Sequence, residues 1–85
     1  NGRLNAVNNA IKGGTGLEYT LETYTEHSLS NNSSASAACY VGLLWPDGSR
    51  TWGAGTDSDI IFAGILALAS ALNNRFIQEE KEALA

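Results

Sequence analysis

The segment "ASAACYVGLLWPDGSRTWGAG", residues 35–55, does most to limit what this chain can fold into. A near-continuous apolar run ends at Trp45, meets the turn signal Pro46-Asp47-Gly48-Ser49, and is followed by a second extended stretch. Such a hairpin commits the chain to antiparallel pairing. The apolar run is what a central strand covered on both faces requires, so another strand must pair with its free edge. "LEYTLETYTEHSL", Leu17 to Leu29, is the candidate: Leu17, Tyr19 and Leu21 share one side, with Glu18, Thr20 and Glu22 on the other. The Ser/Asn-rich "SNNSSA" between the two is a loop by composition, because these side chains compete for backbone hydrogen bonds.

Helical spacing brackets the three strands. Leu4, Val7 and Ile11 fall on one face of a short helix over about Arg3 to Lys12, which Gly13 and Gly14 are expected to end. From Asp57 onward, Ile60, Ile61, Gly64, Ile65, Leu68 and Leu72 keep the period of a second helix reaching at least Asn73, and "IQEEKEALA" extends it or frays. The predicted fold is α+β, in the order α-β-β-β-α, with an antiparallel sheet packed on helices. No internal repeat is evident.

Eighty-five residues make one domain at most, one that buries roughly 60 to 65% of its unfolded surface. Hydrophobic residues are 44% and charged residues 16%, which favours stability borrowed from a second copy. The net charge of −4, with the basic residues scattered, argues against nucleic acid as a partner. The longest apolar stretch, "IIFAGILALASAL", is about 13 residues, short of the roughly 20 that span a bilayer. The single cysteine, Cys39, reads as a buried core residue. With no signal-like segment, it fits a reducing, cytoplasmic setting. Opening at Asn1 on helix-like sequence, the chain reads as a piece of a longer protein.

Few positions offer chemistry. In "TWGAGTDSDIIFAG", Thr51 to Gly64, a dinucleotide fingerprint would need a third glycine and a parallel sheet, and a calcium loop more oxygen ligands than Asp57 and Asp59. The stretch is better read as a strand end, a sharp turn permitted by Gly53 and Gly55, and a helix start capped by Thr56 or Asp57. His27 and Glu26 are adjacent on a strand, so they face opposite ways and cannot act as an acid–base pair. The serines have no base in view. Neither catalytic residues, nor a metal site, nor a cofactor is expected. One feature does suggest binding: "NGRLNA" opens a helix with Gly2 at its start, and free N–H groups at the positive dipole end can hold a carboxylate or phosphate.

"YTEHSL", the Ser/Asn loop, "ASAACYVGL", "TWGAGTDSDIIFAG" and "ALNNR", in this order and spacing, resemble the C-terminal regulatory domain of 2-isopropylmalate synthases over about Asn1 to Arg75. The resemblance implies two similar βββα units that pair with a second subunit and bind leucine at the interface, inhibiting a TIM-barrel active site elsewhere in the chain. Residues 1–14 would be the last helix of the first unit and residues 15–85 the second unit. The family's helix start falls on Asn1, Gly2, Arg3 and Leu4, whose N–H groups would meet the leucine carboxylate. Its pocket positions fall on Tyr24, Ser28 and Ala35, with Ile60 as a further apolar wall. The implied protein is a homodimeric, cytoplasmic acyltransferase of leucine biosynthesis. Arg3 replaces the family's usual proline, and Ser28 stands where alanine is common. Those departures leave two alternatives open: a purely structural dimerisation module, or the equivalent domain of a citramalate synthase sensing isoleucine.

Overall fold

The computed structural model describes residues 2–28 and 36–84. Helix α1 (Gly2–Thr15) leads into strands β1 (Thr20–Ser28), β2 (Ala37–Leu44) and β3 (Arg50–Asp57), and α2 (Ile60–Leu84) closes the order. The strands form one antiparallel sheet in the order β1-β2-β3, so the apolar run is indeed central. Cys39, Val41 and Leu43 of β2 are fully buried beneath the helices. The opposite face carries no helix among the described residues. There Tyr40 is 46% exposed and the Trp52 ring lies across Gly42, so β2 is helix-covered on one face and not on both as its composition suggests.

Four details differ from the sequence reading. Helix α1 runs through Gly13 and Gly14 and ends at Gly16, whose φ of 72° supplies the left-handed stop while its N–H bonds the Lys12 carbonyl at 2.9 Å. Pairing in β1 starts at Thr20 and not at Leu17. Gly53 and Gly55 lie inside β3 and make no turn. A Cβ on Gly53 would sit 2.2 Å from the Ala71 nitrogen, and one on Gly55 would sit 2.5 Å from the Ala63 carbonyl oxygen. These glycines are needed because the α2 backbone rests directly on the strand, through the stripe Ala63, Ala67 and Ala71. The cap of α2 is Asp59, whose carboxylate accepts the Ile61 N–H at 2.8 Å. Asp57 accepts the Asp59 N–H one step earlier, so the aspartates do serve the helix start.

The β2–β3 hairpin turns at Trp45–Ser49, with the Gly48 N–H bonded to the Trp45 carbonyl and Gly48 at φ 86°. Arg75 of α2 pins it: the guanidinium lies 4.9 Å from the Trp45 ring, donates to the Ser49 hydroxyl at 2.8 Å, and pairs with Asp47 and Glu79. Hydrogen bonds from the Ser49 hydroxyl and N–H, with Arg75 behind them, hold the Asp47 carboxyl down at about 2.

Helix α2 is 25 residues long. By length and composition it is apolar enough to cross a membrane, which the shorter uninterrupted run did not suggest. Its inner face is nevertheless the sheet's cover. Phe62, Leu66, Phe76 and Ile77 of α2 are 41–58% exposed.

Candidate functional site

The site is built where the start of α1, the middle of β1 and the start of α2 meet. Strand β1 reaches it through a bulge: Leu21 pairs with Leu43 but Thr23 with Gly42, so Glu22 is an extra residue. Before the bulge, odd-numbered residues face the helices. After it, Tyr24, Glu26 and Ser28 do, opposite Val41, Cys39 and Ala37. His27 therefore falls on the other face, 5.6 Å edge-on from Tyr40, and is separated from Glu26 as predicted.

Gly64 of α2 is the meeting point. A Cβ placed there would lie 3.2 Å from the Tyr24 hydroxyl, which would have to give slightly, and 3.6 Å from a Leu4 methyl, an ordinary contact. The Tyr24 hydroxyl donates to Glu26 Oε1 at 2.7 Å and lies 3.6 Å from Cys39 Sγ. That thiol is 3.8 Å from the Ile60 carbonyl oxygen. Burial, and after it the bonds to Cys39 and Glu26, push the Tyr24 phenol well above its ordinary value, so it is a neutral donor throughout the physiological range.

Of the residues singled out from sequence, Leu4 and Tyr24 are thus brought together at Gly64, and Ile60 is tied to them only through its carbonyl oxygen near Cys39. Gly2 opens α1 two positions before Leu4 and is exposed. Ser28 shares the helix-facing side of β1, but it lies four residues along the strand from Tyr24, opposite Ala37. Asn1 and Ala35 lie outside the described residues. Sequence reasoning missed Gly64, Glu26 and the contact role of Cys39. Only the parity change at the bulge would have placed Glu26 here.

Large side chains hold α1 in place beside this site. Leu4 is 2% exposed, and the buried Tyr19 hydroxyl donates to Asn8 Oδ1 at 2.6 Å. Lys12 lies over the Tyr19 ring, which tilts against Trp45 at 5.3 Å. An open groove of about 280 Å³ lies elsewhere, at the free edge of β3, between Tyr40 and Trp52 on one side and Ser70 and Asn74 on the other. None of the predicted site residues lines it. Asn74 closes part of that edge by donating to the Trp52 carbonyl at 2.6 Å.

Comparison with known proteins adds a consistent result. Residues 1–76 match the family model described as the LeuA allosteric (dimerisation) domain. A 2-isopropylmalate synthase of Desulfitobacterium hafniense (strain Y51) is 43% identical over 72 residues, 85% of this chain and 13% of that protein. The enzyme of the same name from Helicobacter hepaticus is 41% identical over 73 residues, 86% of this chain and 13% of its own length. The chain therefore spans about 13% of the length of these curated relatives.

Proposed function

The chain belongs to the LeuA allosteric (dimerisation) domain family, and from that premise we propose that it is the leucine-sensing, homodimer-forming part of a 2-isopropylmalate synthase. In this reading α1 is the last helix of a preceding βββα unit, and residues 15–85 form a second unit. The active site of the acyltransferase lies in another part of the polypeptide.

The observation that supports the reading is the meeting of Leu4 and Tyr24 over Gly64, with Ile60 linked to Tyr24 through Cys39. An isobutyl group needs apolar walls, which Leu4 and the partly buried Ile60 would supply. A carboxylate needs donors, and the resemblance assigns that part to the start of α1 at Asn1, Gly2, Arg3 and Leu4. The resemblance adds Ser28 and Ala35 to the effector's surroundings. For leucine to inhibit, it must bind one arrangement of the dimer better than another, with a coupling of typically about 1 to 3 kcal/mol.

Calorimetry and thermal melting of the full-length dimer with leucine, isoleucine and valine test the proposal. Leucine is expected to give binding heat and to raise the melting temperature. A response to isoleucine alone would favour the citramalate-type sensor. No heat and no shift with any of the three would leave a structural dimerisation module, a role consistent with the exposed apolar side of α2.

A further inference from the structure

We propose that the free edge of β3 receives a fourth strand, an extended segment of the full-length polypeptide that lies outside residues 1–85. Such a strand is independent of the effector reading and is present whether or not leucine binds.

The hairpin fixes which backbone groups this edge presents. The Trp45 N–H bonds the Ser49 carbonyl, so in the ladder that follows Thr51, Gly53 and Gly55 turn their backbone polar groups toward β2. Those of Trp52, Ala54 and Thr56 then point off the sheet. The Asn74 amide agrees, since it reaches the Trp52 carbonyl from α2. Among the described residues that is the one hydrogen bond made to the outward row, which leaves the Ala54 and Thr56 N–H groups without a protein partner.

The two edges of the sheet are protected differently. Strand β1 is broken by its bulge and carries Glu22 and Glu26. Strand β3 keeps regular register from Arg50 to Asp57, with no proline, lysine or bulge, and such an edge is a template for pairing. It opens onto the groove of about 280 Å³. On one side Leu66, Ser70 and Asn74 recur every fourth residue along α2, the Leu66 Cβ lying 2.7 Å from where a Cβ of Gly55 would be. On the other side stand the exposed rings of Trp52 and Tyr40, with the small Ala54 directly opposite Tyr40 in the ladder. A strand laid here pairs with Ala54 and Thr56 through its backbone and sets one large apolar side chain over Ala54, beside the two rings.

A second copy's β3 does not fit this edge. Helix α2 rests directly on β3 at Gly53 and Gly55, so a second β3 would bring a second α2 within one strand spacing, about 4.8 Å, where packed helices need about 8 to 10 Å. The occupant is a strand with no helix seated on it. The polypeptide itself can supply one, because the chain spans about 13% of the length of the relatives it matches.

Amide-resolved hydrogen exchange on the full-length protein tests the pairing. The Ala54 and Thr56 N–H groups should exchange at least about 100-fold more slowly than unpaired amides, alongside those of Gly53 and Gly55. Fast exchange at Ala54 and Thr56 beside slow exchange at Gly53 and Gly55 would overturn the proposal. The photo-reactive residue p-benzoylphenylalanine in place of Tyr40 identifies the occupant, and the expected adduct is with a segment outside residues 1–85. An adduct confined to residues 1–85 of either copy, or no adduct at all, would overturn it as well. Ala54→Pro removes an outward donor while sparing the bonds to β2, so it should abolish the adduct with Gly53 and Gly55 still protected, which also reports an intact hairpin. An adduct that survives Ala54→Pro would reduce the contact to side chains and refute strand pairing.

Discussion

The two helices lie on the same side of the sheet but are seated in opposite ways. Helix α2 meets β3 backbone to backbone: Gly53 and Gly55 leave no side chain between, and Ala63, Ala67 and Ala71 fill what remains. Helix α1 is held at the distance of large side chains, by Leu4 and by the Asn8–Tyr19 bond. The first contact is a fixed frame with no room for a ligand. The second brings the side chains of Leu4 and Tyr24 together over Gly64, and it is there that the candidate site lies. A backbone-tight helix–sheet seat thus makes the scaffold, and a seat made of side chains beside it holds the candidate site.

This contrast breaks most readily at Gly53. Gly53→Ala puts a methyl group 2.2 Å from backbone that cannot rotate away, so the helix must lift along its length. A loss of about 3 kcal/mol or more is expected in chemical denaturation of the full-length protein. Gly42→Ala serves as the internal control, because its methyl group meets the Trp52 ring, a side chain free to swing toward solvent. It should cost less than about 1 kcal/mol. Equal losses at both positions would refute the idea that backbone contact sets the α2–β3 seat.

On the α1 side the expected effect is intermediate. Asn8→Ala strands the buried Tyr19 hydroxyl and should cost about 1 to 3 kcal/mol. If α1 is the movable wall of the pocket, the same change should also weaken leucine binding. A stability loss with unaltered binding would detach the site from the seating of α1.

The smallest effect concerns the clamp that ties the hairpin to α2. Asp47 ionises at about 2 when folded, against an ordinary value of 3.8, so its favourable contribution is complete above the ordinary value. That contribution drains away as pH falls through the folded value. Because Asp47 is exposed, the contribution is modest. Asp47→Asn should flatten the corresponding part of the melting temperature against pH curve between about pH 4 and pH 2 and leave the neutral plateau nearly unchanged. An unaltered acid limb would show that the carboxylate carries none of it.

How much of this was readable beforehand depended on whether the cause was local. The element order, the central position of β2 and the Pro46–Ser49 turn follow from hydrophobic period and turn chemistry, both properties of neighbouring residues. The role of Gly53 and Gly55 does not, because a glycine needed for a turn and one needed for a close approach look alike until the other surface is known. The same holds for Gly64. Leu4, Tyr24 and Ile60 were reached through resemblance, since nothing local shows that residues so far apart meet. Glu26 was hidden by the bulge, because strand parity counted from Leu17 assigns it to an outside that reverses after Leu21.

That reversal means the polarity of this end of the molecule is written as a count of residues and not only as their identities. Glu26 and His27 are neighbours of opposite acid–base character, and the bulge at Glu22 selects which of them is presented to the helices. Closing the bulge without removing a residue would exchange them and present Thr23, Thr25 and His27 to the helices in place of Tyr24, Glu26 and Ser28, whereas deletion of Glu22 would leave Glu26 where it is.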